Sequence, residues 1–314
     1  MGEKPAVEHV YRTMLMDSGR WDAFAPRDGD ILVCTSYKAG TTWTQMICGL
    51  LIHQKPDLPA PLAELSPWLD MRLTAIDDVL AAYEAQSHRR FIKTHTPMDG
   101  LPYFENVTYL VCGRDPRDVF MSMQHHMSNL DMERFIGLLV ERGVDIQPPP
   151  PGPADINERF KLWMTTGSYE WEKDGYPYWS HFHHAQTFWS RRHLPNVHFL
   201  HYADLKADLE GEMRRVARAL GVAVDEALWP GLVKAATFGE MKSNANRTAP
   251  DTDHGIWLSN GEFFHTGSNE QWRSALSEAN LLLYQDIKRE RFEPSFADWL
   301  ERGAHAAGNP KTVG

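Results

Sequence analysis

Four short runs of apolar and β-branched residues stand out from an otherwise mixed chain: Ile31 to Cys34, Arg90 to Lys93, Val107 to Cys112 and Val197 to His201. All are too short for helices, and three lead into stretches whose apolar positions recur every three or four residues. Behind the first, Met46, Ile47, Leu50 and Leu51 mark one helix face, with Thr41 or Thr42 as the expected cap. Behind the third, Asp115 and Pro116 open a helix through Val119, Phe120 and Met123. Behind the fourth, Asp208 precedes a helical pattern from Leu209 to Leu220, and Gly221 is its stop. The turn Pro26 to Asp30 leads into the first strand. Strand followed by helix, repeated along the chain, predicts an α/β fold with a central parallel sheet flanked by helices.

The run Pro148 to Pro151, with Gly152 and Pro153, continues neither a helix nor a central strand. It reads as an excursion inside one domain, because the strand at Val197 comes after it and needs neighbours in a sheet begun before it. The expected organisation is therefore a single domain over residues 1–314, with a core of about 25–300 and an insertion of about 128–190. The small, polar tail 303–314 is expected to fray. No internal repeat is visible.

Composition narrows the function classes. With 42% hydrophobic and 24% charged residues and a mean hydropathy of −0.46, the chain reads as a globular enzyme. A net charge of −10 repels a polyphosphate backbone, so nucleic acid is disfavoured as a partner and any anion site must be local. The odd set Cys34, Cys48 and Cys112 sits in apolar runs and reads as reduced core. The cluster His181, His183 and His184 reads as a solvated or pocket-lining helix face, and no spacing resembles a metal site. Neither a signal peptide nor a stretch of the ~18 apolar residues of a membrane span is present, and a cytoplasmic location is expected.

The chemistry concentrates behind the strands. A strand that ends in a tight turn with Gly40, followed by a helix opening at Thr41 and Thr42, presents backbone amides and hydroxyls to an anion, and Lys38 adds a mobile charge. The other reading is a plain strand-to-helix turn with a surface lysine. A Walker A loop carries its lysine after the second glycine; here Lys38 precedes Gly40, so an ordinary ATP or GTP hydrolase does not fit. Arg114 emerges at the carboxyl end of the third strand with Ser122 two helical turns on, a second phosphate site. Arg117 and Asp118 read as a local first-turn ion pair. Thr94-His95-Thr96-Pro97 places His95 just past the second strand, on the same rim, where imidazole suits a general base.

Taken in order, these segments resemble the cytosolic-type PAPS-dependent sulfotransferases, particularly bacterial, mycobacterial-type members. Thr35-Ser-Tyr-Lys-Ala-Gly-Thr-Thr-Trp43 resembles their donor loop, Lys93 to Pro97 their catalytic-histidine segment, and Arg114 through Ser122 their 3'-phosphate motif. Tyr202 to Lys206 resembles the tyrosine-bearing strand end that contacts adenine, and Thr237-Phe238 the segment that packs on the base. The resemblance implies a P-loop-like nucleotide-binding architecture and transfer of a sulfuryl group from 3'-phosphoadenosine 5'-phosphosulfate (PAPS) to a hydroxyl, leaving adenosine 3',5'-bisphosphate, without a metal. It further implies that Lys38 neutralises the phosphosulfate bridge while Ala39, Gly40, Thr41 and Thr42 hold the 5'-phosphate. Trp43 and Phe238 would flank adenine, Arg114 and Ser122 would hold the 3'-phosphate, and His95 would deprotonate the acceptor with Lys93 assisting.

Three features depart from that pattern, the mildest being Ala39 for a usual serine and Tyr37 for a usual proline, which leave the backbone amides in place. Where the family closes an Arg-Lys-Gly triplet on the 3'-phosphate, this chain reads His265-Thr266-Gly267, losing one or two formal charges; Arg247 is a candidate to supply one from the preceding loop. The family's dimer motif is poorly reproduced in Arg273 to Leu282, so the resemblance gives no mode of assembly, and a homodimer is one open option. Trp163, Tyr169, Trp171, Tyr176, Tyr178 and Trp179, continuing to Phe182, Phe188 and Trp189, form an aromatic stretch of which about one in three is expected to touch an acceptor. Trp68, Tyr103 and His126 are further candidates. Together they suggest a small hydrophobic alcohol, phenol or lipid acceptor. The rival readings are a non-catalytic nucleotide-binding relative, in which His265 and Thr266 mark lost donor binding, and a small-molecule kinase, for which only Asp115 offers an acid near a strand end.

Overall fold

The computed structural model of the protein describes residues 6–144, 146, 152–250 and 254–313. Four strands, β1 (Ile31–Thr35), β2 (Phe91–Thr94), β3 (Thr108–Gly113) and β4 (Val197–His201), form one sheet in the order β2-β1-β3-β4. All neighbours run parallel, with Val33 opposite Lys93 and Leu110, and Val111 opposite Phe199. The four predicted strands are thus present, shifted by no more than one residue at their ends.

Both faces of the sheet are covered, which explains the nearly uninterrupted apolar runs. Ile31 and Val33 point into one core with Leu110, Cys112 and Leu200; Leu32 and Cys34 point into the other with Tyr109, Val111 and Phe199. The three cysteines are free and buried, as expected. After β1 come α1 (Thr41–His53), α2 (Leu62–Leu65) and α3 (Ile76–Ala85); after β3 come α4 (Pro116–Ser128), α5 (Met132–Glu141), α6 (Ile156–Thr165) and α7 (His181–Trp189). After β4 the chain continues as α8 (Tyr202–Ala207), α9 (Leu209–Ala219), α10 (Trp229–Ala235), α11 (Phe238–Ser243) and α12 (Ala245–Thr248). It closes with α13 (Glu278–Arg291), α14 (Pro294–Arg302) and α15 (Ala304–Ala307). Among the described residues no helix is long and apolar enough to cross a membrane.

Asp115 and Asp208 cap α4 and α9 through their carboxylates, and Gly221 follows α9 with a φ of 65°. Several local readings are corrected. Neither Thr41 nor Thr42 caps α1: Gly40 does, with a φ of 105° and no side-chain bond, because Thr41 Oγ1 is engaged 2.5 Å from Thr35 Oγ1. Asp118 does not pair with Arg117, whose guanidinium instead binds Asp115 at 2.9 and 2.6 Å; Asp118 accepts the Glu270 amide at 2.7 Å. The histidine cluster is not solvated, since His181 and His184 are buried and His183 Nε2 lies 2.8 Å from Asp99. The tail is tied down rather than frayed: Asp204 accepts the Ala304 amide at 2.7 Å, and the Lys311 ammonium donates to Leu194. Pro148 to Pro151 lie outside the described residues.

Two contacts fix the sheet at its ends. Before the strands, the Arg90 guanidinium binds Asp30 through Nε at 2.9 Å, with both side chains under 3% exposed and Phe24 stacked on the cation. After them, Gly113 leaves room for Trp299 of α14, whose ring would lie 2.5 Å from a Cβ at that position. Breaking a buried pair strands one charge, so Arg90→Ala should lower stability by about 3–5 kcal/mol in denaturant unfolding. A loss below about 1 kcal/mol, the range of an exposed pair, would show that this contact does not hold β1 to β2.

Candidate active site

Parallel strands deliver their carboxyl ends to one rim, and the segments carrying Lys38, His95, Arg114 and Tyr202 leave the sheet there. The order β2-β1-β3-β4 reverses direction between β1 and β3, which opens a crevice where the loops at Lys38 and Arg114 meet. Arg114 donates to the Lys38 carbonyl at 2.9 Å, joining the two loops. Above them lies a cavity of about 470 Å³.

The loop after β1 needs two left-handed residues, Lys38 at φ 57° and Gly40 at φ 105°, to turn the chain into α1. Gly40 also brings the backbone close to Cys112 and Tyr202, each 3.3 Å from where a Cβ would stand. No side chain caps the first turn of α1, so its amides and the positive end of the helix face the cavity with Thr41 and Thr42. The Lys38 ammonium sits 3.4 Å from His126 Nδ1 and 4.3 Å from the centre of the Phe263 ring. Burial first, then Arg114 and Lys93, pull its pKa down to about 7. Lys93 lies over Trp68 at 4.0 Å. Glu262 is the only acid among the described residues lining the cavity, so this acidic protein holds a locally cationic pocket.

His95 follows β2 directly. Its Nδ1 lies 2.7 Å from the Thr35 carbonyl, which can only accept, so the ring carries its proton there and keeps a lone pair on Nε2. Trp68 packs edge-on at 4.8 Å and Trp179 at 5.9 Å. Burial, then the nearby Lys93, drive the pKa down to about 3. The result is a neutral imidazole, fixed in orientation, on the wall of a cationic cavity.

Across the crevice, Arg114 stacks on Tyr202 at 4.1 Å and keeps a buried Nε without a hydrogen-bond partner. His181 supports it from below: Nε2–H donates to the Arg114 carbonyl at 3.0 Å, while Nδ1 accepts the Ser36 hydroxyl. Ser122, Tyr202, Phe238, His265, Thr266 and Gly267 complete this wall. Gly267, at φ 63°, lies so close to Phe238 that a Cβ would stand 2.6 Å from the ring, and Lys206 holds its carbonyl at 2.9 Å. Asp118 anchors the following turn, its carboxyl pushed up to about 6 by burial.

Most residues singled out from the sequence therefore meet in one cavity: Lys38, Gly40, Thr41, Thr42, Trp43, Lys93, His95, Arg114, Ser122, Tyr202, Phe238 and the 265–267 segment all line it. Ala39 and Thr237 do not. Ala39 is buried in the core, and Thr237 caps α11. Arg247 points elsewhere, to the Leu58 carbonyl. Of the aromatic stretch, Tyr178 and Trp179 reach the cavity with Trp68 and His126, whereas Trp163, Phe182, Phe188 and Trp189 fill the core. Tyr103 stacks on Tyr109 away from the site. Sequence reasoning missed the wall built from Met123 and Met127 of α4, Phe135 and Ile136 of α5, and Ile256 and Trp257. The apolar spacing of Met132, Phe135, Ile136 and Leu139 was the available signal, and it reads as ordinary helix packing until the helix is placed.

Residues 28–296 match the family described as "Sulfotransferase domain". A "Glycolipid sulfotransferase" of Mycobacterium bovis is 40% identical over 317 residues, covering 96% of this chain and 97% of that protein. Human "Sulfotransferase 1C2" is 24% identical, with 93% and 95% covered. Among solved structures, mouse sulfotransferase SULT7A1 complexed with PAP superposes with a TM-score of 0.69 at 18% identity, over 94% of this chain and 99% of that one. Retinol dehydratase in complex with androsterone and the inactive cofactor PAP gives 0.64 at 22% identity, over 89% and 88%.

With a pKa near 3, His95 stays neutral throughout the ordinary working range. Its ring protons, followed by NMR and assigned with His95→Asn, should show no titration step between pH 5 and 8. A step near 6.5, the value of a solvated imidazole, would mean that the ring is not held as described.

Proposed function

Because the chain belongs to the sulfotransferase domain family, and is an enzyme of that kind, we propose that it moves a sulfuryl group from PAPS to the hydroxyl of a lipophilic acceptor, with His95 as general base. The observation that carries this reading is the convergence, in one cavity, of the Lys38 loop, Arg114 and a neutral His95 whose Nε2 is unprotonated. The PAP bound in the neighbouring structures supports the choice of donor.

In the proposed step the acceptor oxygen attacks sulfur as its proton passes to His95 Nε2. The bond from sulfur to the bridging oxygen breaks, and the electron pair stays on the phosphate. Lys38 neutralises the charge that develops on that oxygen, and the amides of the first turn of α1 hold the 5'-phosphate. Lys93 assists from beside His95. Trp43, whose indole is pinned by the Ala236 carbonyl at 2.8 Å, and Phe238 flank the base, while Arg114 and Ser122 take the second phosphate. A metal has no part in this assignment, and no three His, Cys, Asp or Glu residues cluster as a ligand set among the described residues.

The acceptor reading rests on the other arm of the cavity. Met123, Met127, Phe135, Ile136, Ile256 and Trp257 give it an apolar lining with adaptable thioethers, suited to a hydrocarbon portion attached to the reacting hydroxyl. The glycolipid sulfotransferases at 40% identity support a lipid-linked hydroxyl as the first acceptor class to assay.

His95→Ala should reduce transfer from labelled PAPS by about 10²–10⁴-fold while leaving stabilisation by adenosine 3',5'-bisphosphate near wild type in a thermal-shift series. Equal loss of binding would make His95 structural, and stabilisation only by ATP with magnesium would overturn the donor assignment. Phe135→Ala should raise KM for a lipid alcohol about tenfold with donor affinity unchanged; an unchanged KM would move the acceptor elsewhere.

A further inference from the structure

His125 and His265 lie face to face on the cavity wall, their ring centres 3.6 Å apart and their planes within 18°. One comes from α4, about a turn beyond Ser122; the other from the segment that packs on Phe238. His265 Nδ1 is buried and makes no hydrogen bond, and the same is true of Arg114 Nε on the same wall. Arg114 Nε–H is a donor without an acceptor, and His265 Nδ1, which donates when the ring is protonated, has no partner either.

The charges around the pair are unequal. Lys38 acts on His125 from the β1 loop, and Arg114 at the end of β3, Lys93, His95 and His126 line the same cavity. Lys242 of α11 donates to the His265 carbonyl at 2.8 Å and lies 3.8 Å from Glu262, the one acid on the wall among the described residues. Gln271 reaches in from the following turn. Burial, followed by repulsion from His265, holds His125 below the ordinary histidine range. A proton added to the stacked pair finds no acid beside it, because Glu262 faces Lys242. A dianion brought between them and Arg114 reverses that balance.

We propose that the stacked His125–His265 pair is a proton-loaded phosphate subsite, which takes one proton from solvent as it closes on the second phosphate of the donor. This rests on the donor reading above and replaces the permanent charge of an arginine or lysine with one acquired on binding. One proton leaves the buffered solvent and forms an N–H bond at a ring nitrogen; no other bond changes, and the phosphate becomes its counter-ion.

The sign of the effect follows from linkage. The ligand raises the proton affinity of the pair, so binding weakens as pH rises from the free-state toward the bound-state pKa, by up to about tenfold per unit. Lys38, with its pKa near 7, also gains protonation when a 5'-phosphate arrives. A nucleotide lacking the 3'-phosphate therefore reports Lys38 alone, and the difference between the two nucleotides reports the pair.

The test is calorimetric titration at pH 7.5, where free phosphates are already largely dianionic, in buffers of different ionisation heat. Adenosine 3',5'-bisphosphate and adenosine 5'-monophosphate are titrated into the wild type, His125→Gln, His265→Gln and His265→Arg. Wild type should take up more protons with the bisphosphate than with the monophosphate. That excess should vanish in both glutamine variants, and His265→Arg should bind the bisphosphate more tightly with no excess. Monophosphate binding by each variant verifies that the remaining site is folded. Equal uptake for both nucleotides, or an excess that survives in both glutamine variants, overturns the proposal while leaving the donor reading intact. Absence of bisphosphate binding to the wild type overturns the donor reading and this proposal with it.

Discussion

The parallel register between β1 and β3 is the constraint on which everything else at the site depends. Parallel neighbours cannot be joined by a hairpin, so each strand must hand its chain to a crossover, and every such departure occurs at the same edge of the sheet. Lys38, His95, Arg114 and Tyr202 are far apart in the sequence, yet each stands within three residues of a strand's carboxyl end. Registering Thr35 with Cys112 and Cys34 with Thr94 brings those ends level. The crevice between β1 and β3 then receives two cationic loops side by side. Alone, each would be a surface turn; together, with Arg114 bonded to the Lys38 carbonyl, they form one wall.

Burial, and after it mutual repulsion, weighs on cations held this close, and the structure distributes that cost. Lys38 gives up part of its proton affinity, His95 and His126 remain neutral, and Arg114 spreads its charge over Tyr202. The same proximity makes the pocket receptive, because an incoming anion relieves the mutual repulsion as well as making its own bonds. Carboxylates that would otherwise compete are turned away: Asp115 is occupied by Arg117, and Asp118 by the Glu270 amide.

The fold was legible because a sheet covered on both faces writes itself as short, nearly continuous apolar runs, and those runs located β1 to β4 within a residue. The rim loops were legible because a glycine with a lysine and threonines immediately behind a strand marks a tight turn into a helix. What escaped the sequence depends on distant parts of the chain. Thr41 looked like a cap because nothing local reveals that Thr35 occupies its hydroxyl. Trp163 and Tyr178 read alike, although the first is core and the second faces the cavity, since aromatic character does not encode direction. His125 drew no reading from the sequence, because its meeting with His265 spans 140 residues and no local pattern records it.

The contact between Gly113 and Trp299 ties this architecture to time. β3 and the arginine behind it leave a ribosome well before the indole that packs against Gly113, the Leu300 carbonyl that receives a hydrogen bond from His201, and the amides capped by Asp204. Until they arrive, the strands that carry both cationic loops lack part of one face. A chain that has made β3 but not α14 thus holds an unfinished rim, and the cavity is completed only when these later residues pack against it.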